Sequence, residues 1–236
     1  MSFWSYLAYN AGLMDSHVIP LANSVRGELL HQEGVTRFTP NRRFAKVFVE
    51  TQPAETVLWV ESGLVKLFKR GSEGKEIILD IVGQGNFFGE QAVLVNASRK
   101  VNAEILTEGL LYVVPRQLFL NFMDGKPDLW RQFAEQLLVS KCNLQKKVEL
   151  LCLNDVEHRI LHYLHDLATT FGSRLNPNEA VVGLSQGELA SLIGATRETT
   201  STTLNALARR GLIKLGRRQM IVVSGSDGRA EAKTAS

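Results

Sequence analysis

The apolar period of this 236-residue chain changes near residue 127, and no all-α or all-β fold accommodates both halves. Before the change, residues 36–114 hold short runs rich in Val, Ile, Leu, Phe and Trp: FAKVFVE, TVLWVESG, LVKLFKRG, KEIILDIVG and LLYVV. Gly63, Gly71, Gly74, Gly83, Gly85 and Gly89 punctuate them. That is strand-and-turn patterning. WVESGLVKLFKR partly alternates apolar with polar, as a sheet with one wet face does. After the change, PDLWRQFAEQLLVSKCNLQKKVELLCL sets Leu129, Phe133, Leu137, Leu144, Val148 and Leu151 at helical steps. The expected fold class is α+β. A covering segment (1–35) precedes a β jelly roll (36–126), a long helix (127–153), a helical unit with a wing (154–224) and a polar tail (225–236).

A long helix with a narrow apolar seam needs a partner. Its own roll or a second copy of the chain serves equally well on pattern alone. The seam read from the sequence is Leu137, Leu144, Val148 and Leu151.

Residues 184–213, LSQGELASLIGATRETTSTTLNALARRGLI, read as two short helices broken at Gly194. Thr196, Arg197, Glu198 and Ser201 open the second helix, and such side chains hydrogen-bond base edges or phosphates. An apolar helix followed by one bearing these groups is the helix-turn-helix solution to the major groove. Proteins that read DNA this way commonly pair by two-fold symmetry, which favours a homodimer. LIKLGRRQMIVVS then reads as a β-hairpin or wing, and Ser173 to Gly183 as a loop.

Net charge is only +3, so a nucleic-acid surface has to come from local clustering. Arg197, Arg209, Arg210, Lys214, Arg217 and Arg218 fall within 22 residues, opposed in sequence only by Glu198.

Other classes fit poorly. Cys142 and Cys152 form no CxxC and suit neither a disulfide framework nor a zinc knuckle. The expectation is reduced thiols in a cytoplasmic protein, with no signal peptide and no membrane-spanning run. His158, His162 and His165 share one helix face, where imidazoles can hold Zn²⁺ or Ni²⁺, but a packed or exposed face is the simpler reading, and no metal site is expected. Residues 36–114 contain no His, which argues against a jelly-roll metal oxygenase. No G-x-S-x-G, P-loop or Cys/His pairing is present, so an enzyme is not expected.

Three segments in this order, GSEGKEIILDIVGQGNFFGEQAVL, NDVEHRILHYL and the helix-turn-helix, resemble the CRP/FNR family of bacterial transcription regulators. The resemblance covers about residues 36–224. It implies a cyclic-nucleotide-binding-like roll, a dimerisation helix and a DNA-binding winged helix-turn-helix, with double-stranded DNA of two-fold symmetry and RNA polymerase as partners. Relatives of the cyclic-AMP receptor protein carry R-E-T-x-x-R on the recognition helix. Arg197, Glu198 and Thr199 match, and Thr202 replaces the second Arg. Arg197 and Glu198 are then expected on a G·C pair. Thr196, Ser201 and Ser185 are candidate phosphate contacts with helix capping as the alternative, and Thr202, Arg217 and Arg218 complete the expected DNA face.

In the roll, the resemblance maps Gly89, Glu90 and Arg99 onto a phosphate cradle, with Glu on a ribose hydroxyl. Lys100 and Gln91 depart from the family pattern, and the adenine-contacting Thr-Ser pair becomes Leu144 and Gln145. The implied effector is cyclic AMP or another small molecule, and two cysteines exclude a Cys₄ iron–sulfur cluster. The alternative is a constitutive DNA-binding regulator whose roll is a scaffold, with Leu144 locking the dimer without ligand.

Overall fold

In the computed structural model, which describes residues 24–40, 42–95, 97–176, 179–216 and 219–223, two glycines meet where the longest strand pair bends. The strands are β1 (Thr36–Phe38), β2 (Lys46–Phe48), β3 (Thr56–Arg70), β4 (Glu76–Val82), β5 (Phe87–Phe88) and β6 (Asn102–Pro115). Their order is β1-β6-β3-β4, with β2 also on β6 and β5 on β3. Strands β3 and β6 pair antiparallel, with register shifts between Val60 and Val65. At that bend Gly63 has φ +84°, and a Cβ on it would stand 2.7 Å from the Glu108 carbonyl. A Cβ on Gly109 would likewise strike the Ser62 backbone. Only glycine permits this approach. Gly63 therefore sits inside one bent strand, where the sequence pattern suggested a turn between two.

Contacts divide the chain into two compact units: Met1–Lys69 with Leu79–Leu144, and Arg70–Ile78 with Gln145–Ser236. The first holds the roll, the short helix α1 (Glu90–Leu94), α2 (Arg116–Met123) and the start of α3 (Pro127–Leu153). Its core is aromatic. Trp59 packs on Phe87 with ring centroids 4.9 Å apart, Phe87 on Phe119 at 5.2 Å and Phe119 on Phe133 at 5.7 Å, all near edge-on. Val25 and Leu29, on a π-helical turn (Val25–Leu29), join this cluster, as does Leu129 of α3. Residues 24–30 thus cover the roll, and the first turns of α3 belong to its core. The expected boundary at residue 127 is displaced because Leu129 and Phe133 find their partners inside the first unit.

The second unit contains the end of α3, α4 (Val156–Phe171), β7 (Ser173–Asn176), β8 (Glu179–Val182), α5 (Gln186–Ile193), α6 (Arg197–Arg209), β9 (Ile213–Gly216) and β10 (Gln219–Val223). Asp155 caps α4, its side chain accepting from the His158 amide at 2.8 Å. The expected loop at 173–183 is instead a hairpin. Val181 and Val182 pair with Ile221 and Met220, so four strands run in the order β7-β8-β10-β9. Strands β9 and β10 form the expected wing.

Candidate nucleic-acid interface and effector pocket

Ser185 begins the helix-turn-helix with a reciprocal cap. Its Oγ accepts from the Glu188 amide at 3.2 Å, and the Glu188 carboxylate accepts from the Ser185 amide at 2.6 Å. Helix α5 ends at Gly194, whose φ of 67° makes the turn. Thr196 caps α6, its Oγ1 accepting from the Thr199 amide at 3.1 Å. Ser185 and Thr196, two of the three hydroxyls expected at phosphates, therefore serve as caps in the folded chain.

Two cations brace the turn from behind. Lys147 of α3, buried, donates to the Leu192 carbonyl at 2.7 Å and stands 5.1 Å from the Tyr163 ring centroid. Arg159 of α4 donates to the Ile193 carbonyl at 2.9 Å. Both bind the carbonyl end of α5, where a helix favours positive charge.

Helix α6 buries Thr200, Leu204 and Leu207 and exposes Arg197, Glu198, Thr199, Thr202, Asn205 and Arg209. Ser201 is half-buried at the edge of that face. Backbone hydrogen bonding at Glu198's own amide, followed by the Thr196 hydroxyl, holds the Glu198 carboxyl below its usual range, so it stays an acceptor. Arg197, Glu198 and Thr202 thus share the exposed face the sequence assigned them. Asn205 was not singled out from the sequence, although the 3.6-residue period places it there.

The basic cluster is smaller than its sequence count. Arg210 pairs with Glu157 at 2.5 Å and Lys214 with Glu179 at 2.5 Å, so two acids distant in sequence neutralise them. Arg217 and Arg218 lie outside the described residues. Arg197 and Arg209 remain exposed on α6.

In the roll, Arg99 is 3% exposed and directed inward. It donates to the Gly89 carbonyl at 2.6 Å, to the Thr56 carbonyl at 2.5 Å and to the Thr56 hydroxyl at 3.2 Å. Its guanidinium lies over the Phe48 ring, 4.3 Å from the centroid. Gly89 has φ 78°, and a Cβ there would collide with Nη1 of Arg99. Burial lowers the Arg99 pKa and the Glu90 charge opposes that. Desolvation pushes the Glu90 carboxyl up to about 7; Asp80 adds to the rise, while Glu90's backbone hydrogen bond and Arg99 oppose it.

A cavity of about 210 Å³ opens beside Arg99, lined by Phe38, Val47, Phe48, Leu58 and Val113 on its apolar side and by Gln52, Glu55 and Thr56 on its polar side. Gly89, Glu90, Lys100, Leu144 and Gln145 do not line it, and the last three are exposed. The structure brings Gly89 and Arg99 into contact and leaves Lys100 pointing to solvent. Asp80 is the added member, visible only once β4 and α1 are placed.

Residues 42–126 match the cyclic nucleotide-binding domain family, and residues 158–225 the Crp-like helix-turn-helix domain family. Over 173 residues the chain is 30% identical to the CRP-like protein Clp of Xanthomonas euvesicatoria pv. vesicatoria, covering 71% of this chain and 75% of that one. The chain belongs to the CRP/FNR family. It is 29% identical over 177 residues to the CRP-like cAMP-activated global transcriptional regulator of Mycobacterium tuberculosis, covering 75% of this chain and 79% of that one. The solved structure of the c-di-GMP responsive global regulator CLP of Xanthomonas campestris superposes with a TM-score of 0.73 at 25% identity, covering 86% of this chain and 99% of that one. This CRP/FNR member is a DNA-binding transcription regulator, and its relatives are regulators rather than enzymes.

Leu137 packs against the roll's aromatic cluster. Leu151 is half-buried, with its Cδ2 close to Gly194. Those two seam positions are occupied within the chain. Leu144 (52% exposed) and Val148 (54%) face solvent, joined by Leu138 (59%) and Leu153 (77%). The exposed seam is therefore shorter than the one read in the sequence, with Leu144 and Val148 left on it, because each unit claims one of its expected members. His162 pairs with Asp166 at 3.3 Å while His158 and His165 are exposed. Among the described residues no three His, Cys, Asp or Glu side chains converge as a ligand set for a metal ion. No helix among them is long and apolar enough to cross a membrane.

Proposed function

We propose that this regulator works in the cytoplasm as a homodimer, joined through α3, that sets two copies of α6 into successive major grooves of a two-fold symmetric site. The supporting observation is the exposed pair Leu144 and Val148, one turn apart on one face of α3. Exposed apolar side chains repeated along one helix are what a second copy of that helix covers. Two-fold pairing then sets the recognition helices about one DNA turn, ~34 Å, apart. RNA polymerase is the partner through which such a site acts on transcription.

The roll is the control element. A small anionic effector entering beside Arg99 would replace the Gly89 and Thr56 carbonyls as the guanidinium's partner. That exchange gives the differential affinity between two states that any such switch requires. Similarity to a cAMP-activated relative and to a c-di-GMP responsive one makes cyclic nucleotides the first candidates. A constitutive regulator is the second reading. It is favoured by the same contacts, because Arg99 is satisfied by its own chain.

The deciding experiment is calorimetric titration with cyclic AMP, cyclic GMP and cyclic di-GMP, paired with duplex affinity with and without each. Saturable heat with one ligand, a change in duplex affinity, and loss of both in Arg99→Gln establish the effector reading. Duplex binding with no heat from any of the three establishes the constitutive one.

A further inference from the structure

The outer face of α6 carries a polar side chain, Asn205, for which the folded chain has no use. Asn205 lies in the middle of the helix and is exposed. It makes no hydrogen bond with the described residues, and asparagine is a poorer helix former than alanine by roughly 0.5 kcal/mol. Neither packing nor capping accounts for it. Its position is nevertheless regular. Arg197, Ser201, Asn205 and Arg209 are spaced by four and form one ridge along α6. Thr202, Asn205, Ala208 and Arg209 line a single open concavity beside that ridge.

We propose that Asn205 is a specificity-determining residue that reads an adenine in each half-site. This inference rests on the DNA-reading function proposed above. A carboxamide offers one acceptor and one donor side by side, and adenine presents the complementary N6 donor and N7 acceptor in the major groove. No other single base presents a donor and an acceptor side by side in that groove. Eight residues separate Arg197 from Asn205, about 12 Å along the helix at 1.5 Å per residue. At ~3.4 Å per base pair, the adenine stands about three to four pairs from the G·C pair taken by Arg197 and Glu198. Arg209, one further turn along and at the end of the ridge, meets a phosphate and fixes the register without selecting a base. Thr202, which has no guanidinium fork, leaves the intervening pairs weakly specified.

The test is selection of duplexes from a randomised pool by the full chain, by Asn205→Ala and by Arg209→Ala. The wild-type chain should enrich adenine at the stated spacing from a guanine. Asn205→Ala should keep the guanine, lose the adenine, and bind the best wild-type duplex about tenfold more weakly. Arg209→Ala should keep both preferences, weaken every duplex alike, and lower the salt dependence by about one counterion. Identical base preferences for wild type and Asn205→Ala overturn the assignment while DNA reading stands. Failure of the wild-type chain to select any sequence overturns both.

Discussion

The guanidinium of Arg197 rests on the bare backbone of Gly187: a Cβ at Gly187 would stand 3.0 Å from Nε and 3.1 Å from Nη2. Gly187 is the second residue of α5, where glycine costs at most the about 1 kcal/mol it costs against alanine in a helix interior, so its presence is unfavourable unless the close approach is used. The obstructing atoms are the far end of a flexible side chain, which can move away. Gly187→Ala should therefore raise thermal stability slightly, by up to about 1 kcal/mol, while shifting Arg197 and weakening duplex binding. Unfolding curves and fluorescence anisotropy on one preparation check both. A destabilised variant with unchanged affinity would contradict the arrangement.

Lys147 joins α3 to the carbonyl end of α5 through the Leu192 oxygen. Lys147→Met keeps the aliphatic bulk but leaves that carbonyl without its donor. The expected loss is about 1–3 kcal/mol, read as a lower urea midpoint. Equal stability of variant and wild type would show that the bond contributes nothing net.

Glu90 makes stability pH-dependent. Its carboxyl titrates near 7 in the fold against 4.5 for the ordinary group, so the folded state holds a proton that the unfolded state has released. The resulting stabilisation is complete below pH 4.5 and is lost as pH rises through 7. At most it is on the order of 3 kcal/mol. Glu90→Gln should flatten the stability profile across that window and unfold at a higher denaturant concentration than wild type at pH 8. A wild-type profile already flat across the window would refute the burial-driven shift.

The α3 seam makes a prediction about assembly. Leu144→Glu combined with Val148→Glu should convert a dimer to monomers in sedimentation velocity at micromolar concentration. Leu137→Glu should chiefly unfold the roll, because Leu137 packs on the chain's own core. A wild-type chain that sediments as a monomer removes the dimer proposal.

Much of this architecture is legible in local pattern. The change of period near Pro127 and the turn at Gly194 depend on residues close in sequence, and each is where the pattern places it. What the pattern misses is decided by distant partners. Gly63 reads as a turn until Gly109 is seen against it across β3 and β6. Leu137 and Leu151 read as seam until Phe133's cluster and Gly194 claim them. Lys214 and Arg210 count as a basic patch until Glu179 and Glu157 arrive from elsewhere in the chain. The same holds for the effector region. Arg99 and Gly89 are visible as motif residues, but the effect of Asp80's charge on Glu90 depends on how the fold brings the two acids together.

The measurement closest to the central claim is a footprint on a duplex selected by the protein, compared with the footprint of Arg197→Ala. Two protected half-sites with centres about 34 Å apart, both abolished by the substitution, are the predicted result. Continuous protection without half-sites, or a footprint indifferent to Arg197→Ala, would contradict the account.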